Sequence, residues 1–148
     1  MDVLDLFHCY RDDVYRLAVN FTKNAQEAED VSQNVFLKLM EQDDLTPGKE
    51  KAWLMQVTAN ECRSLLRSTW WKKSVPLDPS IPAPAYQMDE TVQEVLKLPP
   101  KYRVVIYLYY YEGYTAAEIG KLLKKPVSTV TTRLSRGREM LRDKLGDA

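Results

Sequence analysis

Residues 128–144 place hydroxyl and basic side chains at the three- and four-residue spacing that brings them to one side of a helix. That side carries Thr129, Thr132, Arg133, Ser135 and Arg136, and it continues with Arg138, Arg142 and Lys144. Guanidinium and hydroxyl groups bond base edges in the major groove of DNA, and they also bond phosphates. These residue types favour a nucleic-acid partner without separating base contacts from phosphate contacts. An ordinary exposed helix rich in arginine is the alternative.

A second polar face lies earlier in the chain. Its members recur every three or four residues: Trp53, Gln56, Asn60, Arg63 and Arg67. Beyond them, Trp70 and Trp71 stand next to Lys72 and Lys73, and aromatic rings beside basic groups can stack on single-stranded nucleobases. Closure of a hydrophobic core is the alternative for both indole rings, and for Trp53 core packing is favoured.

The charges of the chain are segregated, although 21 basic and 21 acidic residues give a net charge of zero. Residues 1–50 carry −6 and residues 74–100 carry −3, whereas residues 51–73 carry +4 and residues 101–148 carry +5. Each basic block coincides with one of the two polar helical faces. Separate blocks of like charge favour separate partners, and two basic blocks favour a polyanion.

Composition argues against several other classes of protein. The five glycines form no GxG or GxxxxGK pattern, so a glycine-rich nucleotide site is not expected. Two cysteines and one histidine cannot supply the four ligands of a zinc site. Adjacent His8 and Cys9 point in different directions on a helix, and Cys9 and Cys62 are expected to be buried or inert thiols. We predict no enzyme activity, no cofactor and no metal.

The apolar runs of the sequence are shorter than the ~18 residues that a membrane span needs. The N-terminus is acidic where a secretory signal would be basic. These features predict a reduced, cytoplasmic protein with no membrane insertion of its own.

Hydrophobic periodicity predicts three helices in the first half of the chain, at 3–22, 25–42 and 50–68. Asn24 is expected to cap the second helix, and Pro47, in a loop at 42–50, is expected in the first turn of the third. The apolar stripe of the first helix comprises Leu4, Phe7, Val14, Leu17, Ala18 and Phe21. In the third helix, one face carries Met55, Ala59, Cys62 and Leu66.

A proline-rich segment at 75–86, with four of the eight prolines, predicts an extended linker. Beyond it we expect a short helix at 89–97 and a hydrophobic helix at 101–112, despite the strand propensity of that run. A capping box at Thr115 opens the next helix, residues 124–126 break it, and Ser128 caps a last helix. This pair is a helix-turn-helix. The predicted architecture is all-α, with domains at 1–73 and 89–148 and a linker at 74–88.

Both halves resemble bacterial sigma factors. The segment GYTAAEIGKLLKKPVSTVTTRLSRGREMLRDKL (113–145) resembles their promoter-binding helix-turn-helix, and LPPKYRVVIYLYYYEG (98–113) resembles the segment that leads into it. AEDVSQNVFLKL (28–39) is similar to the helix that docks on the clamp of RNA polymerase. AWLMQVTANECRSLLR (52–67) is similar to the next helix, which meets the −10 promoter element. With two regions and a short linker, the chain resembles the extracytoplasmic-function group, over about 10–73 and 93–146.

The resemblance implies two helical domains, sigma region 2 and sigma region 4, and a role for each. The first would hold the clamp of core RNA polymerase through Asp30, Gln33 and Asn34, with Phe36 either contacting or packing. The loop at 43–50 and Asn60 would accept a flipped base of the −10 element. Other contacts to this element would come from Arg63, Arg67, Trp70, Trp71, Lys72 and Lys73.

The second domain would dock on the flap of the polymerase and read the −35 element. Its DNA contacts would be Ser128, Thr129, Thr132, Arg133, Ser135 and Arg136. Family members are usually held inactive by an anti-sigma factor, so such a partner is expected. The chain departs from the family at Lys124, where glycine is usual and a left-handed backbone would cost ~1 kcal/mol. It departs again at Gly137, where alanine is frequent and glycine would cost about 0.5–1 kcal/mol.

Two other classes of function fit parts of the sequence. A stand-alone helix-turn-helix regulator would account for residues 113–145 but not for the resemblance of the first half. A protein–protein adaptor with two helical domains would account for the architecture. Polymerase binding without any DNA binding would favour the adaptor.

Overall fold

The computed structural model describes residues 2–42, 45–67 and 94–145, with the backbone alone at 66–67 and 143–145. The chain divides into two compact units, Met1–Pro84 and Ala85–Ala148. Every regular element within the described ranges is helical, which confirms the all-α prediction. The predicted linker at 74–88 lies outside these ranges.

The first unit is a bundle of three helices, α1 (Val3–Thr22), α2 (Ala25–Met40) and α3 (Glu50–Arg67), each of which packs against the other two. Local hydrogen bonds fix where the helices begin. The Asp2 side chain accepts from the Asp5 amide, and the Asn24 side chain accepts from the Glu27 amide, both at 2.9 Å. The predicted cap at Asn24 is therefore confirmed. Lys23, with φ of +48°, ends α1 in the left-handed conformation, so α2 begins after two residues.

The core of this unit contains most of the apolar residues predicted for the first and third helices, together with others that were not predicted, such as Leu54. The buried side chains include Val14, Leu17, Ala18, Val31, Val35, Leu39, Leu54, Met55, Ala59 and Cys62. Leu4, expected in the stripe of α1, is instead 63% exposed. It lies in the first turn of α1 beside the surface residues Leu37 and Met40 of α2, with which it lines a groove.

The loop before α3 corrects the placement of Pro47. We expected this residue in the first helical turn, but α3 begins at Glu50 and Pro47 lies in a turn before it. The Lys49 amide donates to the Thr46 carbonyl at 3.0 Å, and Gly48 has φ of +86°. A proline followed by a glycine with positive φ is the sequence of a type II turn, which glycine adopts without strain.

The second unit contains α4 (Pro100–Ile106), which continues as a π-helical segment (Tyr107–Tyr111), then α5 (Ala116–Leu123) and α6 (Val127–Leu145). Of the predicted helix at 89–97, only 94–96 is helical within the described ranges. The helix predicted at 101–112 forms despite its strand propensity, because residues 102–108 are all buried and a helix buries them on every side.

Arg103 is buried within this central helix. Its Nη1 donates to the Leu98 carbonyl at 3.0 Å, which ties α4 to the turn before it. Burial lowers the pKa of Arg103 to about 10.

The helix-turn-helix has the predicted first helix and a corrected start of the second. Thr115 and Glu118 form a complete capping box, and Lys124 adopts the left-handed conformation with φ of +58°. Ser128 does not cap α6, because the helix already begins at Val127 and the Thr129 and Val130 amides donate to the Pro126 carbonyl. Ser128 therefore lies within the first turn.

At Gly137, α6 lies close to α4. A Cβ atom on Gly137 would lie 2.8 Å from Cγ1 and 3.0 Å from Cδ1 of Ile106, a buried side chain. The glycine therefore admits the α4 side chain against the backbone of α6. Its cost in helix propensity is offset by this packing.

Candidate nucleic-acid interface

The helix α6 buries one face and exposes the opposite one. Val130, Leu134 and Gly137 are buried against the rest of the second unit. Of the six residues predicted to contact the −35 element, Ser128, Thr132, Ser135 and Arg136 are exposed, and Thr129 and Arg133 are partly exposed. All six therefore lie where a ligand outside the unit could reach them.

Thr131 belongs to this exposed face, although sequence reasoning missed it. Its hydroxyl donates to the Ser128 carbonyl at 3.0 Å, and the Thr132 hydroxyl donates to the same carbonyl at 2.9 Å. With their hydrogens engaged, both hydroxyls offer lone pairs, which suit the amino groups of adenine or cytosine. The available signal was the four-residue spacing from Thr131 to Ser135.

Arg138 and Arg142 flank a different surface from the one we expected. Nη1 of Arg138 donates to the Tyr110 hydroxyl at 2.9 Å. Both arginines line an apolar cavity of about 370 Å³, together with Tyr107, Tyr110, Tyr111 and Leu141. The described arginines of α6 thus divide between its outward face and this cavity.

In the first unit, one exposed face of α3 carries an amide network. Nε2 of Gln56 donates to Oδ1 of Asn60 at 3.1 Å, and Nη2 of Arg63 donates to the same oxygen. Because both bonds end on Oδ1, the Nδ2 amide is the group that Asn60 offers to a bound base. The side chain of Arg67 and residues Trp70, Trp71, Lys72 and Lys73 lie outside the described residues, as do Asp43 and Asp44 of the loop.

The predicted polymerase-binding face of α2 is also partly exposed. Asp30, Gln33 and Asn34 are exposed, and Oδ1 of Asp30 accepts from Nε2 of Gln26 at 3.1 Å. Phe36 is only 7% exposed and packs edge to face on Phe7, with ring centroids 4.8 Å apart. Of the two roles left open for Phe36, packing is therefore the one that the geometry favours.

An apolar groove of about 650 Å³ adjoins this face and was missed by sequence reasoning. Leu4, Leu37 and Met40 are each more than half exposed along it, and Val3, Phe7, Gln33 and Phe36 complete its lining. Leu37 and Met40 lie off the buried stripe of α2, and Leu37 follows Gln33 by four residues. Exposed apolar patches of this kind are typical of protein-binding surfaces.

Within the described residues, no helix is long and apolar enough to cross a membrane. The same part of the chain holds no group of three or more His, Cys, Asp or Glu side chains that could bind a metal ion.

Comparison with known proteins identifies both units. The family model of Sigma-70 region 2 matches residues 6–72, and that of Sigma-70, region 4 matches residues 89–141. The ECF RNA polymerase sigma factor SigW of Bacillus subtilis (strain 168) is 32% identical over 166 residues, which cover 97% of this chain and 88% of SigW.

Solved structures share the fold. The sigma factor RpoE from Bartonella quintana, in complex with the anti-sigma factor NepR, gives a TM-score of 0.73 at 19% identity and covers 94% of this chain and 93% of its own. CnrH, in complex with the cytosolic domain of CnrY, gives a TM-score of 0.61 at 22% identity, and the match covers 97% of this chain and 86% of CnrH. With both regions matched in order and with SigW aligned over most of its length, the chain belongs to the ECF group of the sigma-70 family, the sigma factors of transcription initiation.

Proposed function

We propose that this chain binds core RNA polymerase and directs it to promoters by contacting a −35 and a −10 element. The observation that carries the proposal is the outward face of α6, which presents hydroxyl and guanidinium groups from a capped helix-turn-helix. Sigma factors are non-enzymatic regulators, and nucleotide transfer in this proposal belongs to the polymerase.

For the −35 element, the proposed domain is 89–148 and the proposed reading element is α6. A helix of this kind fits the major groove, where residues of its first turns meet base edges. Thr131, Thr132 and Ser135 are the groups best placed for bases, because they point away from the buried face. The predicted residues Ser128, Thr129, Arg133 and Arg136 surround them.

For the −10 element, the proposed domain is 1–73 and the proposed contact is the exposed face of α3. The Asn60 amide would bond an extruded base of the non-template strand, and Arg63 would meet a neighbouring phosphate. Extrusion costs a few kcal/mol of stacking, so a side chain held in advance by Gln56 and Arg63 favours binding. Arg67, Trp70, Trp71, Lys72 and Lys73 remain candidates from the sequence.

For the polymerase, we propose docking of the clamp on the exposed side of α2, through Asp30, Gln33 and Asn34, and docking of the flap on the second unit. We also propose an anti-sigma partner, because the similar structures RpoE and CnrH were solved with the anti-sigma factor NepR and with CnrY. The proposed location is the cytoplasm, on the nucleoid.

Transcription from defined components tests the proposal. Purified chain is added to sigma-free bacterial core polymerase with genomic DNA fragments, and the 5′ ends of the transcripts are sequenced. We expect discrete start sites that share two upstream elements about two helical turns apart. Binding to core without specific transcripts would favour the adaptor, and neither binding nor transcripts from folded protein would favour the stand-alone regulator.

The docking face is tested by Asp30→Ala, with affinity for core polymerase as the measurement. We expect a loss of about tenfold, equal to ~1.4 kcal/mol, because an exposed carboxylate at an interface would lose its cationic partner. Gln26→Ala is the control, since it removes only the side chain bonded to Asp30. If the folded Asp30→Ala protein kept native affinity for core polymerase, the face that binds the clamp would lie elsewhere on the chain.

A further inference from the structure

A polar cleft lies beside the outward face of α6, on the side of α4. Its volume is about 290 Å³, and it is lined by the side chains of Lys101 and Tyr102 from α4 and of Ser128, Thr129, Thr132, Arg133 and Arg136 from α6. Lys101 and Tyr102 come from the helix before the helix-turn-helix, about thirty positions away from the arginines. Neither was a candidate from the sequence.

The lining of the cleft is cationic. Lys101, Arg133 and Arg136 supply three positive charges, and among the described residues no acidic side chain lines it. Ser128 and Thr129 add hydroxyl groups to the same lining, whereas the Thr132 hydroxyl, which also lines the cleft, already donates to the Ser128 carbonyl. The mixture of cations and hydroxyls matches the chemistry of a phosphate diester, which offers one negative charge and several acceptor oxygens.

Tyr102 joins the two helices across this cleft. Its ring is buried, and Nζ of Lys101 lies 5.1 Å from the ring centroid. The pKa of Tyr102 lies below its usual value, first because of the Arg136 side chain and then because of Lys101, although burial opposes the change. Tyr102 therefore shares the lining of the cleft with two cations that favour its ionised hydroxyl.

The helices α4 and α6 pack closely beside this cleft. A Cβ atom on Gly137 would lie 3.6 Å from Cβ of Tyr102, so the backbones of the two helices are close at this level. The backbone of residues 101–102 therefore lies next to the turn of α6 that carries Arg136. A group bound in the cleft would meet both helices at once.

We propose that this cleft binds one backbone phosphate of the −35 duplex, with Lys101 as a direct contact and Tyr102 as the positioning residue that orients Arg136. The proposal rests on the proposed DNA binding of the second unit and deepens it. It assigns Arg133 and Arg136 to the backbone and leaves base reading to Thr131, Thr132 and Ser135. In this arrangement Lys101, which lies outside the helix-turn-helix, helps to set the register of the helix-turn-helix on the DNA.

The test measures binding of the full chain, bound to core polymerase, to a promoter duplex and to one with a scrambled −35 element. Lys101→Ala should weaken both by a similar factor, about 3- to 10-fold, and should lower the slope of log K against log salt by about 1. Tyr102→Phe keeps the buried ring and removes only the hydroxyl, so it should weaken both duplexes by about 2- to 5-fold with little change in slope. Lys97→Ala is the matched control, since Lys97 pairs with Glu94 outside the cleft.

A neutral methylphosphonate placed at successive positions of the duplex locates the contact. At one position the methylphosphonate should weaken binding of the duplex by the native protein. The same position should have no further effect on binding by Lys101→Ala, because the contact between Lys101 and this phosphate is already lost. The phosphate assignment would be overturned if Lys101→Ala and Tyr102→Phe lost affinity only for the duplex with the native −35 element. It would also be overturned if both variants bound every duplex as Lys97→Ala does. Native holoenzyme that shows no preference for any promoter duplex would instead overturn the proposed function on which it rests.

Discussion

A methyl group at position 137 would press α6 away from α4. The new Cβ would lie 2.8 Å from Cγ1 of Ile106, whereas carbon atoms in contact prefer about 3.5–4.0 Å, so one side chain or helix must shift by roughly 0.7 Å. Overpacking of this kind costs about 1–3 kcal/mol, and alanine recovers about 0.5–1 kcal/mol of helix propensity. We expect Gly137→Ala to lower the free energy of unfolding of the second unit by about 1 kcal/mol.

Urea and thermal unfolding of the full chain measure this change. All three tryptophans lie in the first 71 residues, so their fluorescence follows the first unit and should be unchanged. Circular dichroism at the helical minimum follows both units, and the transition that it shows but tryptophan fluorescence does not should move down by about 4–8 °C for ~1 kcal/mol.

The paired variant Ile106→Ala supplies the control. It removes both atoms that the new Cβ would meet, so Gly137→Ala in that background should stabilise the unit by up to about 1 kcal/mol. Stabilisation by Gly137→Ala in the native background, or the same cost in both backgrounds, would refute the reasoning from close packing.

Three further predictions follow from conformation, exposure and charge. Lys124→Gly should raise the unfolding free energy by about 0.5–1 kcal/mol in urea titrations, because the left-handed backbone at φ of +58° strains lysine, and no gain relative to Lys125→Gly would contradict this. Cys9 is exposed and Cys62 is buried with a raised pKa, so one thiol should react with Ellman's reagent at once and the second only on unfolding; two fast thiols would contradict the burial. Burial, with Glu29 nearby, raises the pKa of Tyr15 to about 12, so the first unit should lose stability as pH rises from 10 towards 12, and Tyr15→Phe should reduce that dependence; an unchanged slope in Tyr15→Phe would assign the dependence to other groups.

Local chemistry in this chain could be predicted from the sequence wherever a few adjacent residues decide it. The cap at Asn24, the capping box at Thr115 and the left-handed Lys124 depend on neighbours within four positions. Ser128 failed as a cap because the carbonyl of Pro126, two residues earlier, already accepts the first bonds of α6. A serine near a helix start is thus an ambiguous signal.

Tertiary contacts set the limit for the other misplaced residues. Periodicity assigns Leu4 to the stripe of α1, but burial depends on whether another helix covers that turn, and no helix in the described part of the chain covers Leu4. The outward face of α6 could be predicted because one helix carries all of it. Lys101 and Tyr102 could not, since their proximity to Arg133 and Arg136 exists only when α4 packs on α6.

The π-helical segment at Tyr107–Tyr111 has a consequence for how sequences of this kind can vary in length. The Glu112 amide bonds the Tyr107 carbonyl, five residues back, so the turn holds one residue more than an α-helical turn would. Deleting one tyrosine among 109–111 would let the segment close as an ordinary α-helix, and the orientation of Arg103 relative to Thr115 would be unchanged. The segment is therefore a site where evolution can add or remove a single residue without rotating the helix-turn-helix that follows.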